Sequence, residues 1–182
     1  YGDLAAIGTI ADIMLLEGEN RRIVKAGLAL LQQTERPGIA ALIEACGLGG
    51  KELTAENVSF GLAPRLNAAG RMDSAAAALE LLLCEDPEEA EAIVAGLEAQ
   101  NAARQKAEQD ILQGVLDSVA ADETYGADRI LVVWGRGYHQ GVIGIVASRV
   151  VERFGKPAII VSVDENGEGK GSGRSIAGVS LY

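Results

Sequence analysis

The sequence predicts an α/β protein with a helical first part, one long connecting helix, and a last part in which a small mixed or parallel sheet is flanked by helices. Three observations carry this. Apolar residues recur at helical spacing through most of residues 1–120. The segment opening at Asp86-Pro87-Glu88-Glu89 continues helically to about Val119 with no breaker stronger than Gly96 or Gly114. Beyond Ala120, short β-branched runs alternate with a helix. With 48% hydrophobic and 23% charged residues the composition is globular, which excludes disorder as a description of the whole.

The elements follow in order. Leu4 to Ile10 is an apolar segment ending near Asp12. Glu19 to Gln32 carries Ile23, Val24, Gly27, Leu28 and Leu31 as the stripe of an amphipathic helix, interrupted by Arg36-Pro37-Gly38. A second helix turns Leu42, Ile43 and Cys46 inward and stops at Gly47. Thr54 caps a short third helix expected to end before Pro64, and Asp73-Ser74 caps Ala75 to Leu83. Asp86-Pro87 then combines a capping side chain with proline at the first helical position. The helix it opens is about 50 Å long at 1.5 Å per residue. Its stripe is apolar at Ala90, Ile93, Val94 and Leu97, polar through Gln100, Asn101, Arg104 and Gln105, and apolar again from Ile111 to Val119, the pattern of a bridge between two domains. Arg129 to Trp134 and Pro157 to Val163 read as strands around a helix, Val142 to Phe154, giving a βαβ unit with parallel pairing. Asp164-Glu165-Asn166-Gly167 is a turn leading into a final glycine-rich loop. A start at Tyr1 and a stop at Tyr182 read as an excised piece of something longer.

Charge is uneven. Residues 1–121 hold 9 Lys+Arg against 19 Asp+Glu, while residues 122–182 hold 7 of each. Any nucleic-acid contact must therefore come from a few placed cations and not from a broad basic face. Cys46 and Cys84 lack CxxC spacing and read as small core hydrophobes, which fits a reducing, cytoplasmic home; no apolar run approaches membrane-span length.

Three constellations carry potential chemistry. Gly135 to Gly144 (GRGYHQGVIG) follows a strand and opens a helix, so its backbone N–H groups can approach an anion, with the chain's single histidine, His139, beside it. That placement favours function over packing; Tyr138 covers the core edge. Gly169 to Ser175 (GKGSGRS) leaves room for a ligand, with serine hydroxyls and the two-pronged donor of Arg174, although such loops are often only turns. The βαβ topology places both loops at the carboxyl ends of neighbouring strands. In Gly61 to Asp73, Arg65 and Arg71 flank Asn67; they either reach an anionic ligand across a cleft or pair with the surplus acids. Asp12 is a metal-ligand candidate, with a helix cap or surface acid as the alternative.

Taken together, GTIAD (Gly8–Asp12), GLAPRLNAAGR (Gly61–Arg71), GYHQGVIGIVASR (Gly137–Arg149) and GKGSGRS, in this order and with a long helix between the second and third, resemble the RecJ family of single-strand-specific 5′ to 3′ exonucleases in the DHH phosphoesterase superfamily. The resemblance implies residues 1–85 as the C-terminal part of a DHH domain, 86–120 as an interdomain helix, and 121–182 as a truncated DHH-associated, nucleic-acid-binding domain. It implies hydrolysis of phosphodiester bonds with two Mn²⁺ or Mg²⁺ ions. Asp12 would be the last of the family's metal-binding aspartates, the others and the Asp-His-His triplet being absent, so that this piece alone would be inactive. Ser172, Gly173 and Arg174 would hold a 5′ phosphate, His139 would act catalytically near the scissile phosphate, and Arg65, Asn67 and Arg71 would contact the DNA end. Partners implied are 5′-phosphorylated single-stranded DNA and a helicase or single-strand-binding protein, in DNA repair and recombination. Ala63 in place of glycine and Gln140 in place of proline depart from the family pattern. Two other readings are a superfamily phosphodiesterase acting on short oligoribonucleotides or cyclic dinucleotides, against which the lack of a GGGH-type loop counts, and a non-catalytic DNA-binding scaffold of the same fold.

Overall fold

In a computed structural model that describes residues 1–122 and 124–181, the chain divides into two compact units, Tyr1–Ala102 and Ala103–Tyr182. Positions 123 and 182, both inside the expected 121–182 segment, lie outside the described residues.

The first unit is helical. Its apolar opening forms α1 (Gly2–Ala11), with Asp12 as C-cap donating its N–H to Gly8 O. Ile13 follows at φ 55°, a left-handed conformation that a β-branched residue rarely adopts. The Met14 N–H donates to Thr9 O, so the chain turns sharply away and leaves Asp12 exposed at the end of α1. α2 (Gly18–Gln32) lies so close to α1 that a Cβ at Gly27 would fall on Ala6 Cβ. Val24, Gly27 and Leu31 are buried as the stripe predicts, but Ile23 points outward, because successive residues stand about 100° apart and the buried face is narrower than the apolar one. α3 (Pro37–Ala45) begins at Pro37, where a missing N–H costs nothing, and buries Leu42 and Ile43; Cys46 is its half-buried C-cap.

One expectation fails at Pro64. Thr54 does cap α4 (Ala55–Asn57), reciprocally with Asn57, but the helix does not end before the proline. It passes through a π-helical turn (Val58–Leu62) into α5 (Ala63–Met72). In that turn the Ala63 N–H reaches back five residues to Val58 O, so the ladder is rephased just before Pro64 enters at the start of α5, where its missing donor is tolerated. α6 (Ala76–Leu83) follows, with Ser74 Oγ accepting from the Ala76 N–H at 3.2 Å. α7 (Pro87–Ala121) starts as predicted: Asp86 Oδ1 accepts from the N–H groups of Glu88 and Glu89 at 2.8 and 3.1 Å. Its residues belong to both units. The core of the first unit is built on Leu31, Ile39, Leu42, Leu62, Leu81 and Leu97.

The second unit holds the later turns of α7, a short α8 (Thr124–Ala127), and a three-stranded sheet in the order β1 (Leu131–Arg136), β2 (Ala158–Val163), β3 (Gly169–Arg174), with α9 (Ile143–Phe154) between β1 and β2. β1 and β2 pair in parallel, as the βαβ reading requires. β1 starts two residues later than expected, because Arg129-Ile130 form a bend. The final glycine-rich segment is not a loop. It is strand β3, antiparallel to β2, with Val163 opposite Gly169 and Ala158 opposite Arg174. The expectation that both glycine-rich segments lie at the carboxyl ends of neighbouring strands is thereby corrected: the hairpin returns the chain, so the backbone of Arg174 sits at the amino end of β2. Glu108 on α7 takes the Arg104 guanidinium at 2.8 Å and the Arg149 guanidinium of α9 at 3.3 Å, tying α7 to α9 within this unit. No helix among the described residues is long and apolar enough to cross a membrane.

In the first unit, the buried Asp3 accepts from Arg36 Nε at 2.8 Å and from the Leu4 N–H at 2.9 Å. Burial pushes its carboxyl up, but the Leu4 hydrogen bond and the Arg36 guanidinium outweigh burial and hold it below its ordinary value. A depressed carboxylate stabilises the fold above its unfolded-state value and loses that contribution as pH falls through the folded value. Asp3→Asn is expected to lower stability at pH 7 by about 1.5 kcal/mol, measured by urea unfolding, and the difference from wild type shrinks on acidification below pH ~4. A pH-independent difference would contradict this.

Candidate functional site

Each unit gathers its own polar residues. In the first, α1 presents Gly8, Ala11 and Asp12 at i, i+3, i+4, and α5 presents Asn67 and Arg71 at i, i+4. These five line a cavity of about 680 Å³. Asp12, Asn67 and Arg71 are all exposed into solvent reach, and the cavity floor is open because Gly8 has no side chain and nothing lies within 4 Å of where its Cβ would be. Arg65 is not part of this group. Two residues before Asn67 is about 200° around the helix, and its guanidinium instead donates to Glu98 Oε1 at 3.0 Å and to its own turn at Gly61 O at 2.9 Å.

The residues present fit a divalent ion only in part. Asp12 offers one hard oxygen ligand on an open cavity. Among the described residues no group of three or more His, Cys, Asp or Glu side chains is placed to hold a metal.

In the second unit, alternation along β3 decides which way each side chain points. Gly169, Gly171 and Gly173 lie over Val161 and Ile159, with Leu181 also against Gly173. Lys170, Ser172 and Arg174 therefore share the opposite face, the face on which α9 packs. There the first turn of α9 presents Gly144, and a Cβ at that position would stand 3.0 Å from Ser172 Oγ and 3.1 Å from Arg174 Nη2. Arg174 Nη1 donates to Ser172 Oγ at 3.2 Å and to Gly173 O at 2.7 Å, so the guanidinium folds back along its own strand toward the helix start. The Ser172 hydroxyl accepts there and keeps its own proton to donate. A hydroxyl, a guanidinium and the positive end of a helix dipole thus converge where only a glycine leaves room.

His139 occupies a neighbouring opening of about 640 Å³ at the carboxyl ends of β1 and β2, lined also by Arg136, Tyr138, Gln140, Asp164 and Glu165. Its Nδ1 accepts from the Gly141 N–H at 3.2 Å, which in the neutral ring places the proton on Nε2. Its backbone carbonyl accepts from Val142 and Ile143 and starts α9. Sequence reading placed Gly144 in the anion-approaching segment but not against β3, and it missed Ser162 and the acids Asp164 and Glu165 as neighbours of the site. The signal for Gly144 was present in the strict G-K-G-S-G-R alternation, which is strand periodicity written with glycines.

Residues 127–182 match the DHHA1 domain family. Over 99% of its length the chain is 44% identical to the single-stranded-DNA-specific exonuclease RecJ of Bacillus subtilis, covering 23% of that protein, and 43% identical to RecJ of Thermus thermophilus, covering 25%. RecJ of Dickeya dadantii is 40% identical over 98% of the chain and 32% of that protein. Among solved structures, RecJ from Thermus thermophilus in complex with Mg²⁺ superposes with a TM-score of 0.85 at 41% identity, covering all of this chain and 27% of that one. An exonuclease RecJ bound to manganese gives 0.84 at 41%, covering all of this chain and 44% of that one. The chain spans about a quarter to a third of the curated relatives it matches. The similarity to RecJ runs along nearly the whole length of the chain, and the DHHA1 match is confined to its last part.

The Arg65–Glu98 pair lies beside Cys46. Burial pushes the Cys46 thiol up, Glu98 adds to this, and Arg65 only partly opposes it. Cys46 is expected to react with iodoacetamide about tenfold more slowly in the folded chain than in the denatured one at pH 8. Equal rates, followed by mass spectrometry, would show that the thiol is not shielded.

Proposed function

We propose, from the homology to RecJ together with the geometry of β3 and α9, that this chain is part of a metal-dependent, single-strand-specific 5′ to 3′ DNA exonuclease and that its second unit holds the 5′-terminal phosphate. The observation that carries the reading is the convergence of Ser172 Oγ and the Arg174 guanidinium on Gly144 at the start of α9. A terminal phosphate carries about two negative charges and three acceptor oxygens, which matches a hydroxyl donor and a planar guanidinium beside a helix N-terminus. A 5′-hydroxyl end offers neither the charge nor the oxygens.

Within this reading the domains are 1–85, 86–120 and 121–182, the middle segment corresponding to α7. Asp12 provides one ligand for a divalent ion, Mn²⁺ or Mg²⁺. Such ions, when bound, generate hydroxide and stabilise charge on the attacking and leaving oxygens. Asn67 and Arg71, on the same cavity as Asp12, donate to the DNA backbone, while Arg65 supports α5 through Glu98. His139 presents Nε2–H as a donor to an oxygen of the scissile phosphate. Gly173 contributes by its lack of a side chain, which keeps β3 flat on β2. An acidic chain binds DNA because these few donors act locally where net charge does not. A setting in repair and recombination in the cytoplasm, with a helicase or single-strand-binding protein delivering the strand, follows from the relationship alone.

The test compares variants in a protein spanning the full length of the relatives. Asp12→Ala is expected to abolish metal-dependent turnover of all substrates, whereas Arg174→Ala leaves turnover of 5′-hydroxyl DNA near wild type and loses about tenfold or more of the preference for a 5′ phosphate. Equal losses on both ends for Arg174→Ala would refute the end-binding role. Wild-type rates for Asp12→Ala would remove it from the metal centre.

A further inference from the structure

The loop that carries His139 is short, glycine-rich and at the edge of the sheet, a segment that has little reason to hold one conformation by its own propensity. Three contacts hold it. The Ser162 hydroxyl on β2, only 6% exposed, donates to the Tyr138 carbonyl at 2.5 Å. The hydroxyl end of the Tyr138 ring occupies the space above Gly135 of β1, where any Cβ would collide with it. The Tyr138 hydroxyl reaches α7 at Gly114, where a Cβ would stand 3.1 Å away.

These contacts form one slot. Gly135 and Ser162 are cross-strand partners in the parallel register, so they sit side by side on the same face of the sheet as the buried Leu131, Val133, Ala158 and Ile160. At the last rung of that face the core side chains give way to a glycine and a serine. Tyr138 fills the space with its ring and satisfies the serine with its carbonyl. A buried serine in an apolar strand must place its proton somewhere, and here it goes to the Tyr138 carbonyl. The next residue is His139, whose Nδ1 is fixed by the Gly141 N–H.

We propose that Ser162, Gly135 and Gly114, acting through Tyr138, are positioning residues for His139: they set the loop so that Nδ1 faces the Gly141 N–H and Nε2–H faces the opening at the strand ends. The functional value of this rests on the exonuclease reading of His139, but the positioning itself is read without substrate. His139 is the chain's single histidine, so its imidazole nitrogens are unambiguous in ¹⁵N NMR.

The wild-type chain should show Nδ1 as acceptor and Nε2 protonated at neutral-ring pH, with the Gly141 amide protected from hydrogen exchange. Ser162→Ala and Gly135→Ala should each move the ring toward a mixture of tautomers and speed Gly141 exchange about tenfold or more, while Ser162→Thr, which keeps the hydroxyl, restores both. Ile160→Val, a buried change two residues before Ser162 on the same strand that keeps the serine hydroxyl and Gly135, serves as the stability control and should leave both readouts in place. The proposal is overturned if Ser162→Ala and Gly135→Ala leave tautomer and exchange unchanged, or if Ile160→Val alters them equally. A protein without exonuclease activity would sink the functional reading and leave this result standing.

Discussion

In an extended strand, neighbouring residues face opposite sides, and much of the second unit follows from how Gly-Lys-Gly-Ser-Gly-Arg meets that constraint. The glycine side lets β3 lie against Val161 and Ile159 without displacing them, and the polar side brings Ser172 and Arg174 onto the start of α9. Shift the register by one residue and the donors would face away from the helix, with glycines against Gly144. The parallel pairing of β1 with β2 matters in the same way, since it returns α9 with its N-terminus near the strand ends and sets Gly135 beside Ser162. The convergence of Ser172 and Arg174 on Gly144 and the histidine loop are thus two consequences of one sheet.

The first unit reaches its polar cavity by helical phase. The π-helical turn at Val58–Leu62 admits Pro64 and sets the rotation of α5, so that Asn67 and Arg71 share one face and Arg65 another. Arg65 then finds Glu98, one of the many acids in this half. Asp12 owes its exposed place to the abrupt exit of the chain at Ile13, whose positive φ is tolerated because the Met14 N–H closes back on Thr9. The left-handed Ile13 thus stores backbone strain directly beside the Asp12 carboxylate.

Much of this was legible in the sequence. Capping chemistry located the start of α7 at Asp86, and apolar runs of β-branched residues located β2 and, two residues early, β1. What escaped had identifiable causes. Glycine is poor in strands, so GKGSGRS read as a loop, although its period of two was visible and the hairpin partner supplies the pairing that propensity does not. Proline usually ends a helix, and the π-helical turn that spares α5 has no clear sequence mark. Arg65 and Arg71 look equivalent by spacing, and only the rotation of α5 and the location of Glu98 separate them. The role of Ser162 depends on a cross-strand neighbour from another segment, which one strand alone does not reveal.

The most direct test of the central claim, that β3 and the start of α9 together hold a terminal phosphate, is an amide NMR titration of this chain with a short single-stranded oligonucleotide bearing either a 5′ phosphate or a 5′ hydroxyl. The account predicts that the phosphate form alone shifts the Gly144 amide and the β3 amides around Ser172, and that added salt weakens the effect. Identical shifts with both ends, or shifts that spare Gly144, would contradict it.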